Sequence, residues 1–265
     1  NFNMTLDQFK IIFYWEYFHR ILARLIGIFF LIPLIYFYLT KKIKKKYMNV
    51  ASSIFLLIIF QGIIGWYMVK SGLINDTTVN HYRLSIHLTT ALFIISIIFW
   101  LIRNIISKND KRFFKFSTNN LPFLLLILLI FIQIIIGAFV SGLDAGKIYQ
   151  TWPMMGNSYF PNDLNFENFN YIFDFDNHSL VQFYHRNLAY IIFFYSLFLT
   201  ISIYKKKLTN LYKPFKILFF FLFLQIGLGI FALISDLNIL LASMHQITSI
   251  LVVFSALNLY FLRVK

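Results

Sequence analysis

Four histidines carry the first chemical signal in this chain. His19, His87, His185 and His245 each lie about two turns inside one end of a long apolar run. An ionisable side chain surrounded by lipid is costly, so an intramembrane histidine is a functional hypothesis from the outset. Neutral imidazole is the usual axial ligand of a haem iron, and two facing helices can supply one each. An internal repeat pairs them. Glu-Tyr-Phe-His-Arg-Ile-Leu-Ala at 16–23 matches Gln-Phe-Tyr-His-Arg-Asn-Leu-Ala at 182–189, and Arg83-Leu-Ser-Ile-His87 aligns with Leu241-Ala-Ser-Met-His245. The pairs are therefore His19 with His87, and His185 with His245. Helix–helix hydrogen bonding is the plainer reading of any one histidine. It explains less well four at equivalent repeat positions and similar depth. Zinc is disfavoured: there is no His-Glu-x-x-His, no cysteine, and there are too few acids at that depth.

Glu16 stands three residues before His19, on the same helical face. The second half has Gln182 at the matching place. A general base or a stabiliser of developing charge must be titratable or charged. This asymmetry assigns chemistry to the first half and a resident electron-transferring haem to the second. The alternative for Glu16 is a first-turn acid that complements the helix dipole. Arg20, Arg83 and Arg186 lie beside the histidines and are candidates for haem propionates, since guanidinium binds carboxylates bidentately. Arg24 reads as an interfacial snorkelling residue. His81 and His178 fall near span starts and read as exposed loop histidines. The Gln-x-x-x-Gly motifs at Gln61–Gly65, Gln133–Gly137 and Gln225–Gly229 read as close helix packing.

The elements that must hold these residues are membrane helices. The hydrophobic fraction is 59%, charged residues are only 13%, and mean hydropathy is +0.71. One soluble core cannot hide that much apolar surface. Spans need about 20 apolar residues, and seven are expected: 11–40, 50–69, 82–103, 121–141, 180–204, 214–235 and 239–262. Thr5 and Gln8 fit a capping box ahead of the first. The net charge of +14 does not point to nucleic acid, because Lys and Arg cluster in alternate short loops. Those clusters are Lys41–Lys46, Arg103–Lys115, Lys205–Lys216 and the C-terminal Arg263 and Lys265. They belong on the cytoplasmic or matrix side. The long loop 142–179, with Asp144, Asp163, Glu167, Asp174 and Asp176, belongs on the other side, and so do the four histidines. The absence of cysteine removes disulfides, covalent c-type haem attachment and thiolate chemistry.

The repeat order is a His-Arg helix, a Gln-x-x-x-Gly helix, then a second His helix. The second half has one further helix in front, residues 121–141. Its counterpart before the first span is expected to be missing here, on the order of 50 residues with its loop. The expected architecture is all-α: a polytopic bundle of two pseudo-repeated four-helix halves, seven spans present, divided as 1–115 and 116–265.

These residues resemble the haem A synthase family, of the type found in proteobacteria and mitochondria. The resemblance covers nearly the whole chain. It rests on Glu16-Tyr-Phe-His19-Arg20, Tyr82-Arg83-Leu-Ser-Ile-His87, Gly142-Leu-Asp-Ala-Gly146 with Thr151-Trp152-Pro153-Met154, Gln182-Phe-Tyr-His185-Arg186-Asn-Leu-Ala-Tyr190, and His245-Gln246. It implies an inner-membrane enzyme that oxidises the C8 methyl of haem O to a formyl group by successive hydroxylations, the diol losing water, to give haem A for cytochrome oxidase. It implies that His19 and His87 flank the substrate haem, that His185 and His245 ligate haem b, and that Glu16 is essential. The implied partners are the haem O synthase, a membrane electron acceptor and the cytochrome oxidase assembly machinery, with a homo-oligomeric state left open. The cysteine pair present in the first outer loop of some members is absent.

Two rivals follow from the same residues. A dihaem b-type cytochrome would carry electrons across the membrane, but such proteins place haems near opposite faces, often on two histidines of one helix, and no helix here has that pattern. A repeat-built transporter would show polar groups at mid-span, and these spans offer little there beyond glutamine and glycine.

Overall fold

A computed structural model describes residues 5–72, 79–164 and 169–264. The side chain of Gln8, together with Glu167 and Lys265, lies outside the described residues, so the capping box and these two charges are not placed. Seven long helices follow in order: α1 (Leu6–Thr40), α2 (Lys45–Gly72), α3 (His81–Ile106), α4 (Leu121–Gly142), α5 (His178–Lys205), α6 (Tyr212–Ile234) and α7 (Ile239–Arg263). All seven are long and apolar enough to cross a membrane, and the described residues contain no strand. The expected spans are all found, and most extend a few residues further at their polar ends, as capped helices do.

The caps are local chemistry. Asn80, Asn177 and Asn238 each precede a helix and accept a main-chain N–H of its first turn, the usual use of a short amide at an N-terminus. At the basic end the chain turns through residues in the left-handed region: Lys41, Lys108 and Lys207 at φ 52°, 51° and 49°. Asn109 N–H closes onto Asn104 O at 3.1 Å and Leu208 N–H onto Ile203 O at 3.0 Å, the six-residue closure that ends a helix. Glycine is the common residue there. Lysine instead puts its cation by the helix's negative end and on the basic side of the chain.

The chain divides into two compact units, 1–79 and 80–265. In the first, α1 and α2 pack as a helical hairpin with the rings of Phe30 and Phe55 stacked 6.3 Å apart. In the second, α3 packs on α4 and α7, α4 also packs on α5, and α6 packs on α7. The unit boundary thus falls about one helix earlier than the repeat boundary at 115. The reason is aromatic: Phe99 stacks on Phe254 at 4.9 Å, and Trp100 meets Phe261 at 5.0 Å, which ties α3 to α7. The apolar core of this unit lies toward its basic end, around Trp100, Leu126, Leu199, Leu218, Leu257 and Tyr260. Lys111, in the α3–α4 connection, donates to the main-chain oxygens of Phe261 and Val264 at the end of α7. Burial, then the neighbouring Arg103 and Lys115, push its ammonium below the usual lysine value.

The other end of this unit carries the 143–177 connection. Tyr149 and Ser179 hydroxyls both donate to Asp163, at 2.6 Å each. Burial alone would raise the Asp163 carboxyl, but these two donors hold it below the usual carboxylate value, and the same contact raises Tyr149. Gly146 meets the Leu237 side chain of the α6–α7 turn, and Gln150 donates to Asp236 at 2.7 Å, so the two connections at this end are locked together. His81 departs from the exposed position expected of it: it opens α3, is 5% exposed, and its Nε2 lies 3.3 Å from Asp176. Its main chain sits directly under Gly142, where α4 ends. His178 is exposed.

Two outcomes follow. A Cβ at Gly142 would fall 2.7 Å from His81 Cβ and 2.8 Å from His81 Cα, so Gly142→Ala is expected to destabilise the second unit by about 1–3 kcal/mol, read as a lower unfolding temperature in detergent. Asp163 titrates lower in the folded chain than in the unfolded chain. Its contribution is therefore complete above the ordinary carboxylate range and is lost as pH falls through its depressed value. Hydrogen exchange across 149–163 should accelerate on acidification through that window, and Asp163→Asn should flatten the response. An unchanged profile in that variant would remove Asp163 from the loop's stability.

Candidate functional site

Within the second unit, α4 to α7 form a site with two imidazoles at its centre. His185 lies about two turns into α5 and His245 about two turns into α7, both from helix ends where the 143–177 and α6–α7 connections meet. Their ring centres are 6.4 Å apart with the planes at 74°. Each ring is backed by a different helix. His245 Nδ1 is 2.9 Å from the main-chain oxygen of Gln225 on α6. An oxygen acceptor there requires the proton on Nδ1 and leaves Nε2 with its lone pair. The Gln225 amide nitrogen is 3.3 Å from that Nε2. His185 is held from α4: Gln133 Nε2 donates to the His185 main-chain oxygen at 2.9 Å and lies 3.2 Å from Nδ1 and 3.4 Å from Nε2 of the ring. The side-chain oxygens of Gln133 and Gln225 are both buried without a partner.

This donor set fits a haem better than a bare ion. Imidazole nitrogen binds a first-row metal at about 2 Å, so two rings sharing one metal have centres roughly 6 Å apart. The described residues hold no group of three or more His, Cys, Asp or Glu side chains that could complete a coordination sphere. Two imidazoles suffice only where a macrocycle supplies the remaining ligands.

The residues around the pair hold the loop above it. Arg186, next to His185, donates to the main-chain oxygens of Tyr149, Thr151 and Met154 at 2.8, 2.8 and 3.2 Å. Gln182 donates to Tyr149 O at 2.9 Å, and Trp152 Nε1 to the Tyr190 hydroxyl at 3.1 Å. Thr151 accepts from Gly156 N–H and donates to Met154 O, both at 2.9 Å. The Trp152–Pro153 bond within this turn is cis. The Thr-Trp-Pro-Met run is therefore the segment whose carbonyls Arg186 reads. In this geometry Arg186 anchors the loop, and any propionate would have to share it.

The remaining candidates are placed separately. Glu16 and Arg20, on α1, form an i, i+4 ion pair and both are exposed in their unit. His19 is one turn along the same helix and exposed. His87 lies about two turns into α3 and is half-buried, as is Arg83. Sequence reasoning treated Gln133, Gly137, Gln225 and Gly229 as packing residues only, whereas all four face an imidazole. The signal was present: each pair lies four apart, on one helical face, on the helix that comes before a histidine helix.

Comparison with known proteins gives the family of the chain. The sequence profile of the Cytochrome oxidase assembly protein family matches residues 1–257. A Pelagibacter ubique protein named Heme A synthase is 46% identical over 265 residues, covering 99% of this chain and 75% of the relative. A protein of the same name from Rickettsia africae is 37% identical over 272 residues, covering 99% and 78%. One from Agrobacterium fabrum is 39% identical over 247 residues, covering 93% and 67%. With a family profile over almost its full length and such relatives, this chain belongs to the Cytochrome oxidase assembly protein family.

Proposed function

We propose that this chain is a haem A synthase of the inner membrane, oxidising the C8 methyl of haem O to a formyl group to give haem A for cytochrome oxidase. The single observation that carries the reading is the imidazole pair of His185 and His245, 6.4 Å between ring centres, in a chain whose relatives bear that enzyme's name. His185 and His245 would hold a resident haem b through their imidazole nitrogens. The family resemblance assigns the substrate haem O to His19 and His87, and the basic connections assign the histidine-bearing helix ends to the periplasmic or intermembrane side. The resident haem, when bound, supplies one-electron transfer toward an acceptor in the membrane.

The chain's own residues do the rest. The Gln225 carbonyl keeps the His245 proton on Nδ1 and so presents Nε2 as a ligand. Arg186, Gln182 and Tyr190 hold the Tyr149–Met154 turn over that end of α5 and limit the access of water to the pair. Glu16 is the proton-handling group beside the substrate, one turn from His19. Its ion pair with Arg20 orients the carboxylate along α1, and its counterpart Gln182 cannot titrate, which separates the reacting half from the electron-carrying half.

The direct test is to express the full-length protein with a source of haem O, extract the pigment and identify it by mass. Haem A, or a hydroxylated haem O, is expected; haem O returned unchanged by an otherwise haem-loaded protein would overturn the proposal. His185→Ala and His245→Ala should each abolish the b-type absorption of the purified protein, and an unaltered spectrum would break the pairing. Glu16→Gln should leave that spectrum intact and lower haem A formation by about 100-fold or more, the scale of a lost general base. Wild-type haem A output in that variant would remove Glu16 from the mechanism.

A further inference from the structure

Two glycines lie against the two imidazoles at distances that leave no room for a side chain. A Cβ at Gly229 would fall 2.8 Å from Cε1 and 3.2 Å from Nδ1 of His245. A Cβ at Gly137 would fall 3.0 Å and 3.5 Å from the same atoms of His185. In an α-helix the carbonyl of one residue points along the axis toward the residue four positions on. A Cβ at that later position stands beside the oxygen and restricts approach from the flank. Glycine leaves the oxygen open to a second donor. The structure shows that second donor: the oxygen 2.9 Å from His245 Nδ1 belongs to Gln225, four residues before Gly229. On α4, Gln133, four residues before Gly137, meets the His185 ring through its side-chain amide, 3.2 Å from Nδ1.

We infer that Gln133–Gly137 and Gln225–Gly229 are positioning elements for the two imidazoles, Gly229 baring the Gln225 carbonyl that accepts the Nδ1 proton of His245 and Gly137 letting the His185 ring close against α4. This rests on the reading that His185 and His245 ligate haem b. The consequence is electronic as well as steric. A carbonyl accepting from Nδ1–H fixes the tautomer, points Nε2 away from the helix and makes the imidazole a stronger donor. A stronger donor favours ferric iron and lowers the reduction potential. Packing alone would ask only for a small residue, and would leave the iron's electronics indifferent to it.

The test compares Gly229→Ala and Gly137→Ala in the full-length protein with Gly227→Ala, a control on α6 whose Cβ would meet nothing within 4 Å. Haem retention, the reduction potential of the bound b-type haem and its ferric electron paramagnetic resonance are measured, none of which depends on turnover. Gly229→Ala should weaken haem binding roughly 10–100-fold, raise the potential of the haem that remains and shift its low-spin signal. Gly137→Ala, where the added carbon is less crowded, should move the same readouts in the same direction, and decides the matter if Gly229→Ala does not accumulate. Gly227→Ala should match wild type. If the two variants lower only the unfolding temperature and keep the wild-type potential and resonance, the glycines are packing residues and the inference fails while the haem assignment stands. If wild-type protein carries no b-type haem, both fail together.

Discussion

Inside a bilayer no water is available to a polar group, so each one must find its partner within the chain. That constraint organises the second unit. The imidazoles of His185 and His245 are the most demanding groups at its centre, and each is met by the helix that precedes its own: the Gln133 amide of α4 at the His185 ring and the Gln225 main-chain oxygen of α6 at His245. The helix order, a glutamine–glycine helix before each histidine helix, is what makes this possible. It lets helices adjacent in the chain satisfy one another across the face on which they pack.

The same constraint explains the long connection between α4 and α5. A turn lying above a buried site would carry unpaired carbonyls, and here Arg186 and Gln182 from the helix beneath donate to three of them, Tyr149 twice. The arginine next to the histidine is thus a fastening between helix and loop. Its repeat counterpart Arg20 is paired with Glu16 instead. One sequence motif, His-Arg, is used in two ways because the residue three positions before the histidine differs: an amide that reaches a carbonyl in one half, a carboxylate that takes the guanidinium in the other.

This divergence gives the duplicated chain two unlike halves. The second unit has a dense aromatic core at its basic end and a closed loop at the other, features of a site that keeps its occupant. The first unit, a single hairpin, carries Glu16, His19 and Arg20 within about one turn of one another on α1.

Much of this was legible in the sequence. Runs of apolar residues set the seven helices, because lipid leaves a spanning chain no other backbone state. The spacing of lysines led to the expected alternation, and the recurrence of His-Arg, Gln-x-x-x-Gly and His singled out the residues proposed to carry chemistry. Distance-dependent facts were not legible. The roles of Gly137 and Gly229 depend on a few tenths of an ångström between a missing Cβ and a ring. The burial of His81 depends on Gly142 letting α4 end against it, and the grouping of α3 with α7 depends on Phe99 and Trp100 finding Phe254 and Phe261. Local pattern fixes which face of a helix carries a residue. Which atom that face meets is decided only when helices far apart in the chain are packed together.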